Sequence, residues 1–443
     1  MIKDKSEAEF LIYRSYVNKI RHLNTNQPDQ FFRHPINTRH LLDQLGSPDL
    51  FGINILVTGS KGKGSVSRMI AKILETHGYK VGLFTSPHLI DFNERIRIDG
   101  KAISDEDLVA YAQAIEETIQ DMDSHLPDDD YLGPVGITLA IALQYFHDHK
   151  TQINVIECGK GARFDDVAVI KADLSVINTV FLEHVPALGY TLSEIAANKA
   201  GVIKQGQRFC FSALQKEEVK AEIEKEAQLQ DVEVRFGSEA FGAENVRCSS
   251  SGTTFDVWDG NARLNGIETR LLGRHQADNA ALAIAVCDQA IVMEELKIKK
   301  AFKDIVWPGR LEVIHTSPTV IVDGCIHLES YTFVREVLNK IDHDRLLIIV
   351  GIPDDKDYQN VIKEAAEDAA HLVITASVNP HLKFSGIQKQ LANDENILYI
   401  PLFTQALKHM ISLSQEKDLI VILGTQSVVK EAKDYYHQSL LDL

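Results

Sequence analysis

The sequence predicts an α/β protein in two parts, a parallel-sheet domain that carries attached β-hairpins and a smaller, doubly wound, Rossmann-like C-terminal domain. Short apolar runs alternate with helical patterns along most of the 443 residues, which is typical of a parallel α/β sheet. A stretch from about 207 to 270 instead alternates in polarity and is rich in Ser and Gly, which predicts the hairpins. Pro308 and Gly309 then interrupt both periodicities, so we place the domains at 1–306 and 307–443.

The first domain is predicted to hold four buried strands, with helices packed on them. The strands are the apolar runs 53–58, 81–85, 154–157 and 174–179. A helix is expected over 65–77, because the apolar residues between 66 and 74 share one helical face and Gly78 supplies a stop. Another helix is expected from about 276 to 292.

Five further strands are predicted beyond the Pro-Gly interruption. They are the apolar runs 320–323, 346–351, 372–375, 397–400 and 419–424. Helical patterns lie between them, which predicts the second, doubly wound sheet.

The charge balance excludes some classes of partner. The chain holds 63 acidic and 46 basic residues, a formal net charge of −17, and an acidic surface of that size repels nucleic-acid backbones and anionic lipid. The five cysteines are far apart and form no CxxC pair, which argues against a zinc site or a disulfide framework. Because no apolar stretch suits a signal core or a membrane span, we expect a cytoplasmic protein with no nucleic-acid and no membrane partner.

The strongest chemical signal is a glycine-rich loop between the first predicted strand and the helix after it. The loop consists of Gly59, Ser60, Lys61, Gly62, Lys63, Gly64 and Ser65. Glycines let several backbone N–H groups point at one phosphate, and the helix N-terminus adds partial positive charge. Lys63 can reach the outer phosphates, and the Ser65 hydroxyl can coordinate Mg²⁺. The loop therefore predicts a P-loop ATPase domain, and the alternative is a plain glycine-rich turn.

Polar residues follow two other predicted strands. Ser86, Pro87 and His88 come after the second strand, where α/β proteins place ligand loops, although such a run is also an ordinary turn. Glu157 ends the third strand, and a buried carboxylate there needs a cation. That cation is Mg²⁺ near the phosphates or, in the alternative, the guanidinium of Arg163.

A histidine and a lysine follow the fourth strand. His184 is either a ligand or a structural histidine. Thr191 and Glu194 have the spacing of a capping box, which starts a helix that runs through Lys199. Lys199 is in turn either functional or a solvated lysine favoured by the helix dipole.

Together these motifs resemble the folylpolyglutamate synthase and dihydrofolate synthase branch of the Mur ligase superfamily. The resemblance runs from about residue 40 to the C-terminus. It includes the Gly59–Ser65 loop, Ser86-Pro-His-Leu, Glu94-Arg-Ile, Glu157-x-Gly-x-Gly, His184, Lys199-Ala-Gly, Gly273-Arg-His-Gln, Trp307-Pro-Gly-Arg-Leu-Glu and Asp323-Gly.

The resemblance implies an ATP-dependent, ADP-forming ligase that joins an amino acid, expected to be L-glutamate, to a carboxylate substrate through an acyl phosphate. Lys63 and the loop amides would hold the phosphates of ATP, and Mg²⁺ would be held by Ser65, Glu157 and His184. Lys199 matches a position that is carbamylated in relatives, where the carbamate would bind a second Mg²⁺. The implied catalytic residues are Lys63, His184, Lys199 and Arg310. Further nucleotide contacts are implied for Asn279, Arg310 and Asp323.

Several positions on the acceptor side depart from the family pattern. The run Gly161-Ala-Arg-Phe-Asp165 is not followed by the usual Thr-Asn pair, and Glu183 stands where an Asp is usual. After Asp323, a histidine is displaced by one position to His327. The residues expected to contact substrate are Ser86, Pro87, His88, Asp165 and His327.

These departures leave the acceptor open between a folate and some other small carboxylic acid. Two hypotheses come from other classes, a P-loop kinase or NTPase and a degenerate nucleotide-binding module. The first leaves the motifs outside the glycine loop unexplained, and the second fits poorly with the retained Lys63, Glu157 and Lys199. We expect a monomer that acts on small molecules.

Overall fold

The computed structural model describes residues 2–23, 27–249, 251–260, 262–379, 382–384, 397–438 and 443. Its first sheet has eight strands in the order β4–β3–β2–β5–β1–β6–β7–β8. The strands are β1 (Ile53–Thr58), β2 (Val81–Phe84), β3 (Ile96–Ile98), β4 (Lys101–Ala102), β5 (Ile153–Glu157), β6 (Leu174–Ile177), β7 (Phe209–Ser212) and β8 (Glu233–Phe236). Six of them run parallel, and β3 and β4 form an antiparallel edge.

Helices cover both faces of this sheet. They are α1 (Lys5–Lys19), α2 (Ile36–Gln44), α3 (Lys63–Thr76), α4 (Asp105–His125), α5 (Pro134–Asp148), α6 (Leu192–Ala200), α7 (Glu217–Gln230), α8 (Arg274–Ala290) and α9 (Glu295–Asp304). Successive residues of β1 point to opposite faces, so Leu56 packs in one apolar core, whereas Ile55 and Val57 pack in the other. The carboxyl ends of β1, β5 and β6 therefore open onto one edge between two helix layers.

The predicted hairpins are present over only part of the stretch from 207 to 270. An antiparallel sheet in the order β11–β10–β9 comprises β9 (Phe241–Ser249), β10 (Gly252–Asp259) and β11 (Ala262–Thr269). The preceding part, predicted as hairpin, is instead the strand–helix–strand unit of β7, α7 and β8. The prediction was wrong there because Val219, Ile223 and Ala227 recur at the helical spacing and bury one face of α7.

The C-terminal sheet has six strands in the order β12–β13–β17–β14–β15–β16. They are β12 (Glu312–Thr316), β13 (Thr319–Asp323), β14 (Leu346–Gly351), β15 (His371–Ala376), β16 (Ile397–Leu402) and β17 (Leu419–Gly424). The helices α10 (Leu328–Leu338), α11 (Tyr358–Asp368), α12 (Phe403–Leu413) and α13 (Gln426–Tyr435) accompany them. All strand pairs are parallel except β12 with β13, and a separate apolar core covers each face. The predicted fold class is confirmed.

Residues 305–311 connect α9 to β12, where we place the domain boundary. That boundary stays a prediction. In the part of the chain that the structure describes, no helix is long and apolar enough to cross a membrane.

Candidate active site

The glycine loop joins β1 to α3 in a conformation that needs its glycines. Gly59 and Gly62 have φ angles of +144° and +72°, which L side chains rarely adopt. A Cβ at Gly59 would lie 2.9 Å from the Cβ of Asn178. Ser60 fixes the loop to the chain after β6, because its N–H donates to the carbonyl of Thr179 at 2.8 Å. The loop backbone is thus held at the edge of the sheet.

Lys63 and Ser65 lie in the first turn of α3. The Nζ of Lys63 donates to the carbonyl of Gly59 at 3.0 Å, so its charge is placed over the loop. Ser65 is 3% exposed and sits where the helix has backbone N–H groups without helical partners. The residues predicted to cradle phosphate therefore lie together at the start of α3, and their contact with phosphate stays a prediction.

Glu157 ends β5 beside the loop. Its Oε2 accepts a hydrogen bond from the backbone N–H of Ser86 at 3.2 Å. Burial raises the pKa of Glu157 to about 7, although Lys63 and Arg310 act in the opposite direction. The carboxyl group is thus poorly compensated as an anion and suited to a cation.

The alternative prediction, an ion pair between Glu157 and the guanidinium of Arg163, is wrong. Arg163 forms its ion pair with Glu226 of α7, at 2.5 Å. It also donates to the carbonyl of Ala197. Arg163 therefore ties α6 to α7 rather than neutralising the loop carboxylate.

Lys199 is a buried residue of the site, so its interpretation as a solvated lysine is wrong. Its side chain is 1% exposed, and its Nζ lies 2.8 Å from the carbonyl of Gly59 and 2.9 Å from Oε1 of Glu183. Burial lowers the pKa of Lys199 to about 8, against the attraction of Glu183. The predicted capping box is confirmed, since Thr191 and Glu194 exchange hydrogen bonds at the start of α6.

His184 adjoins this pair. Its Nε2 lies 3.7 Å from Oε2 of Glu183, and half of its side chain is exposed. Partial burial lowers the pKa of His184 to about 4, and the charges of Lys199 and Lys63 add to the effect. The ring is therefore neutral near pH 7 and able to bind a metal through a nitrogen.

The connection between the domains touches the glycine loop. A Cβ on Gly64 would lie 2.8 Å from Cζ2 of Trp307, so the indole packs directly on the start of α3. Arg310 donates to the carbonyl of Gly309 at 2.9 Å. Burial raises the pKa of Asp323, with the charges of Arg310 and then Lys61 opposing it. Groups of both domains thus share one electrostatic environment.

Asn279 reaches the same loop from α8. Its Oδ1 accepts a hydrogen bond from Nδ2 of Asn178 at 2.8 Å, and its Nδ2 donates to Gln276 at 3.2 Å. Both asparagine side chains lie within van der Waals reach of Gly62. The structure brings Asn279 to the loop, and its contact with a nucleotide stays a prediction.

A small cavity, about 40 Å³, lies between the two domains. Its lining residues are Thr85, Pro87, His88, Leu89, Glu94, Arg97, Trp307, Pro308, Arg310, Gln426 and Leu443. Nδ1 of His88 accepts a hydrogen bond from Nε of Arg95 at 3.0 Å, and burial lowers the pKa of His88 to about 4. Two of the residues expected to contact substrate, Pro87 and His88, therefore face Arg310 across one cleft.

Asp165 and His327 do not line that cleft. Asp165 is fully buried, 3.6 Å from Nη2 of Arg33, and accepts from the N–H of Val167 at 3.1 Å. His327 precedes α10, where burial and the charge of Lys61 lower its pKa. Ser86, the remaining residue expected to contact substrate, donates its backbone N–H to the carboxylate of Glu157.

Three residues that the structure places beside the loop were not among the candidate site residues from the sequence: Asn178, Glu183 and Trp307. Asn178 directly follows β6, and α/β proteins place ligand-binding groups at the carboxyl ends of their strands. Its position in the sequence could therefore have identified it. Glu183 was noted only as a departure from a motif. Among the described residues, no group of three or more His, Cys, Asp or Glu side chains could hold a metal ion by itself. A bound metal would need oxygens from the nucleotide or from water.

Family models match both parts of the chain. The one described as Mur ligase middle domain matches residues 57–287, and the one described as Mur ligase, glutamate ligase domain matches residues 309–426.

Individual proteins are similar over most of the length. The dihydrofolate synthase/folylpolyglutamate synthase of Bacillus subtilis (strain 168) is 33% identical over 356 residues, 76% of this chain and 80% of that protein. The Mycobacterium tuberculosis folylpolyglutamate synthase complexed with ADP and AMPPCP superimposes with a TM-score of 0.86 and 25% identity, over 92% of this chain and 96% of that one. A structure described as an FPGS–AMPPCP–folate complex gives a TM-score of 0.77 and 26% identity, over 95% of this chain and 99% of that one.

Proposed function

The chain belongs to the folylpolyglutamate synthase branch of the Mur ligases and is an ATP-dependent, ADP-forming ligase; on this premise we propose that it joins L-glutamate to the carboxyl group of a folate-type acid. One observation carries the proposal. The cleft between the domains is lined by Trp307 and Arg310 on one side and by Pro87 and His88 on the other. Trp307 also packs on Gly64 of the glycine loop, so the cleft adjoins that loop. Such a cleft can align a phosphorylated carboxylate with an amine.

Lys63, the loop amides and Arg310 would hold the phosphates of ATP. In this arrangement Lys63 exchanges its bond to the Gly59 carbonyl for a phosphate oxygen. Charge-assisted hydrogen bonds of this kind contribute about 1.5–3 kcal/mol each. Asn279 and Asp323 would contact the rest of the nucleotide. The protein supplies little covalent chemistry, because alignment alone can lower such a barrier by roughly 7–11 kcal/mol.

Ser65, Glu157 and His184 would hold Mg²⁺. Their chemistry fits a hard cation: a hydroxyl, a buried carboxyl group with a pKa near 7, and a neutral imidazole. When bound, the cation neutralises charge on the transferring phosphoryl group.

Lys199 would act beside the phosphates in one of two chemical states, an amine or the carbamate that the family resemblance implies. A pKa of about 8 leaves a fraction of the amine neutral at physiological pH, and only the neutral amine can take up CO₂.

Water must be kept from the acyl phosphate until the amine attacks. Trp307 packs on the start of α3, and Arg310 follows in the same connection. Movement of the C-terminal domain about residues 305–311 would therefore close the cleft and carry Arg310 onto the phosphates together.

A second candidate is a ligase of the same class that acts on another small carboxylic acid. One observation favours it: both oxygens of Asp165 are engaged by backbone N–H groups, those of Val167 and Lys160, and Arg33 lies beside them. Asp165, which was expected to contact the acceptor, is therefore occupied by contacts within the protein.

Phosphate release from Mg·ATP by the purified protein tests the proposal. The assay is run with L-glutamate plus dihydropteroate or a reduced folate, and again with each omitted. Release that requires both partners, with a product heavier by one glutamyl group, supports a folate ligase. Release without any amine supports the kinase or NTPase hypothesis. Nucleotide binding without folate-dependent release supports the non-folate acid.

A further inference from the structure

We propose that Lys433 and Glu312 are positioning residues for Arg310, which lines the cleft from the segment that connects the two domains. The inference rests on the proposed function, in which Arg310 contacts the phosphates of ATP. An arginine on a flexible connection would have to be ordered each time nucleotide binds, and this ordering costs free energy. Hydrogen bonds and a buried ion pair order the connection in advance.

The backbone on both sides of Arg310 has a left-handed conformation. Gly309 has a φ angle of +69°, and Leu311 has a φ angle of +47°. Glycine adopts such angles readily, whereas leucine does so only where its surroundings impose the conformation. Leu311 is buried in an apolar core of the C-terminal domain. The direction in which the chain presents Arg310 is therefore imposed by the contacts of its two neighbours.

Two carboxylates hold these neighbours. Oε2 of Glu312 accepts a hydrogen bond from the N–H of Gly309 at 2.8 Å. Oδ2 of Asp323 accepts one from the N–H of Leu311, also at 2.8 Å. The carboxylates belong to β12 and β13, which pair with each other, and hydrogen bonds to a charged acceptor are stronger than those between neutral groups. The backbone that carries Arg310 is thus held on both sides by one pair of strands.

Lys433 fixes the orientation of Glu312. It projects from α13, its side chain is only 2% exposed, and its Nζ lies 2.5 Å from Oε1 of Glu312. A buried ammonium group needs an anionic partner, and Glu312 uses one oxygen for Lys433 and the other for Gly309. Without the amine, the Glu312 side chain, which is 19% exposed, could turn toward solvent and release the N–H of Gly309. Loss of the amine should therefore loosen the backbone next to Arg310.

The helix that carries Lys433 also contacts the connecting segment directly. A Cβ at Gly309 would lie 3.1 Å from Cγ1 of Val429, and Gln426, the first residue of α13, lines the cleft together with Arg310. The guanidinium lies close to the chain after β13, since a Cβ at Gly324 would lie 2.9 Å from Nη1 of Arg310. The ion pair thus joins α13 and β12 at the point where Arg310 enters the cleft.

Calorimetric binding of Mg·AMPPCP tests the proposal without any acceptor. Arg310→Ala should weaken binding about tenfold or more, the loss expected for one charge-assisted contact with phosphate. Lys433→Met, which keeps an unbranched side chain and removes the amine, should weaken binding about fivefold or more. Lys433→Arg, which keeps the positive charge, should recover part of that loss.

A double variant identifies the route of the effect. If Lys433 acts through Arg310, Lys433→Met should weaken binding by less than about twofold once Arg310 is alanine. A purely structural role would weaken binding equally in both backgrounds. Lys430→Met is the matched control, because Lys430 lies three residues earlier on α13 and pairs with Asp434 at 2.7 Å, where both side chains are exposed. This control should bind Mg·AMPPCP as tightly as wild type.

Unchanged affinity in Lys433→Met, or losses that multiply in the double variant, would overturn the proposal. Thermal denaturation shows whether each variant is folded. If Lys433→Met is not, Glu312→Gln breaks the same ion pair from its other end and should weaken binding in the same non-additive way. Unchanged affinity in Arg310→Ala would refute the phosphate contact and the proposal with it. A failed folate and glutamate assay would leave these results in force, because they involve no acceptor.

Discussion

Removing the charge of Glu157 should stabilise the nucleotide-free protein and impair its function. Burial raises the pKa of this carboxyl group from 4.5 to about 7. The unfolded chain then holds fewer protons than the native state between these two values, so stability falls as pH rises through that window. Each tenfold change in proton affinity corresponds to about 1.4 kcal/mol, so Glu157 costs about 3 kcal/mol above pH 7.

Urea denaturation of wild type and Glu157→Gln between pH 5 and 8 measures this cost. Glutamine keeps the shape and can accept the hydrogen bond from the Ser86 N–H. The variant should be more stable than wild type by less than about 1 kcal/mol at pH 5 and by about 3 kcal/mol at pH 8. Other titrating groups cancel in the difference between the two proteins. Glu226→Gln is the control and should not gain stability at pH 8, because it loses the ion pair with Arg163.

A stability difference that stays constant with pH would refute the reasoning, because it would mean that Glu157 is not an uncompensated buried carboxyl group. The same variant should bind Mg·AMPPCP at least tenfold more weakly than wild type, as calorimetry can show. Unchanged affinity would remove Glu157 from the metal site.

Three further predictions concern the loop and the elements that hold it. Lys63→Ala should lower ATP turnover roughly a hundredfold or more while the fold is kept, because charge on the phosphates is lost; full activity would reject the loop assignment. Gly64→Ala should cost about 1–3 kcal/mol in urea denaturation, since its Cβ would lie 2.8 Å from Trp307, and an unchanged midpoint would show that the indole moves freely. Thr191→Ala should cost about 1 kcal/mol by removing the hydrogen bond to the Glu194 N–H, and no loss would mean that the capping box is dispensable.

Local signals in the sequence were reliable where one segment determined the outcome. The glycine loop, the helix after it and the capping box before Lys199 each depend on residues within a few positions of one another, and the structure has all three. The alternation of strands and helices likewise predicted both sheets.

Pairings between distant segments were not accessible to the sequence. Arg163 meets Glu226 rather than Glu157 because α6 and α7 pack side by side, which no local pattern encodes. The interpretation of Lys199 was ambiguous for the same reason, because its buried amine contacts the carbonyl of Gly59, 140 positions away in the chain. The stretch after 207 was misassigned because its Ser and Gly content outweighed the helical spacing within α7.

The candidate site is assembled from segments that are far apart in the chain and that meet at one edge of the first sheet. The first domain brings Lys63, Glu157 and Lys199 to the glycine loop, and the second brings Arg310 and Asp323. Under the proposed function, catalysis depends on the relation between the two domains, and a variant of the connecting segment should alter turnover without altering either core.

The central claim, that the chain transfers phosphate to a folate-type carboxylate before an amine attacks, is tested most directly by isotope transfer. The acceptor is synthesised with heavy oxygen in its terminal carboxyl group and incubated with the protein, Mg·ATP and L-glutamate. One heavy oxygen should appear in each phosphate released, because the acyl phosphate carries it from the carboxyl group to phosphorus. Phosphate that contains no heavy oxygen, released while the acceptor is unchanged, would contradict the account.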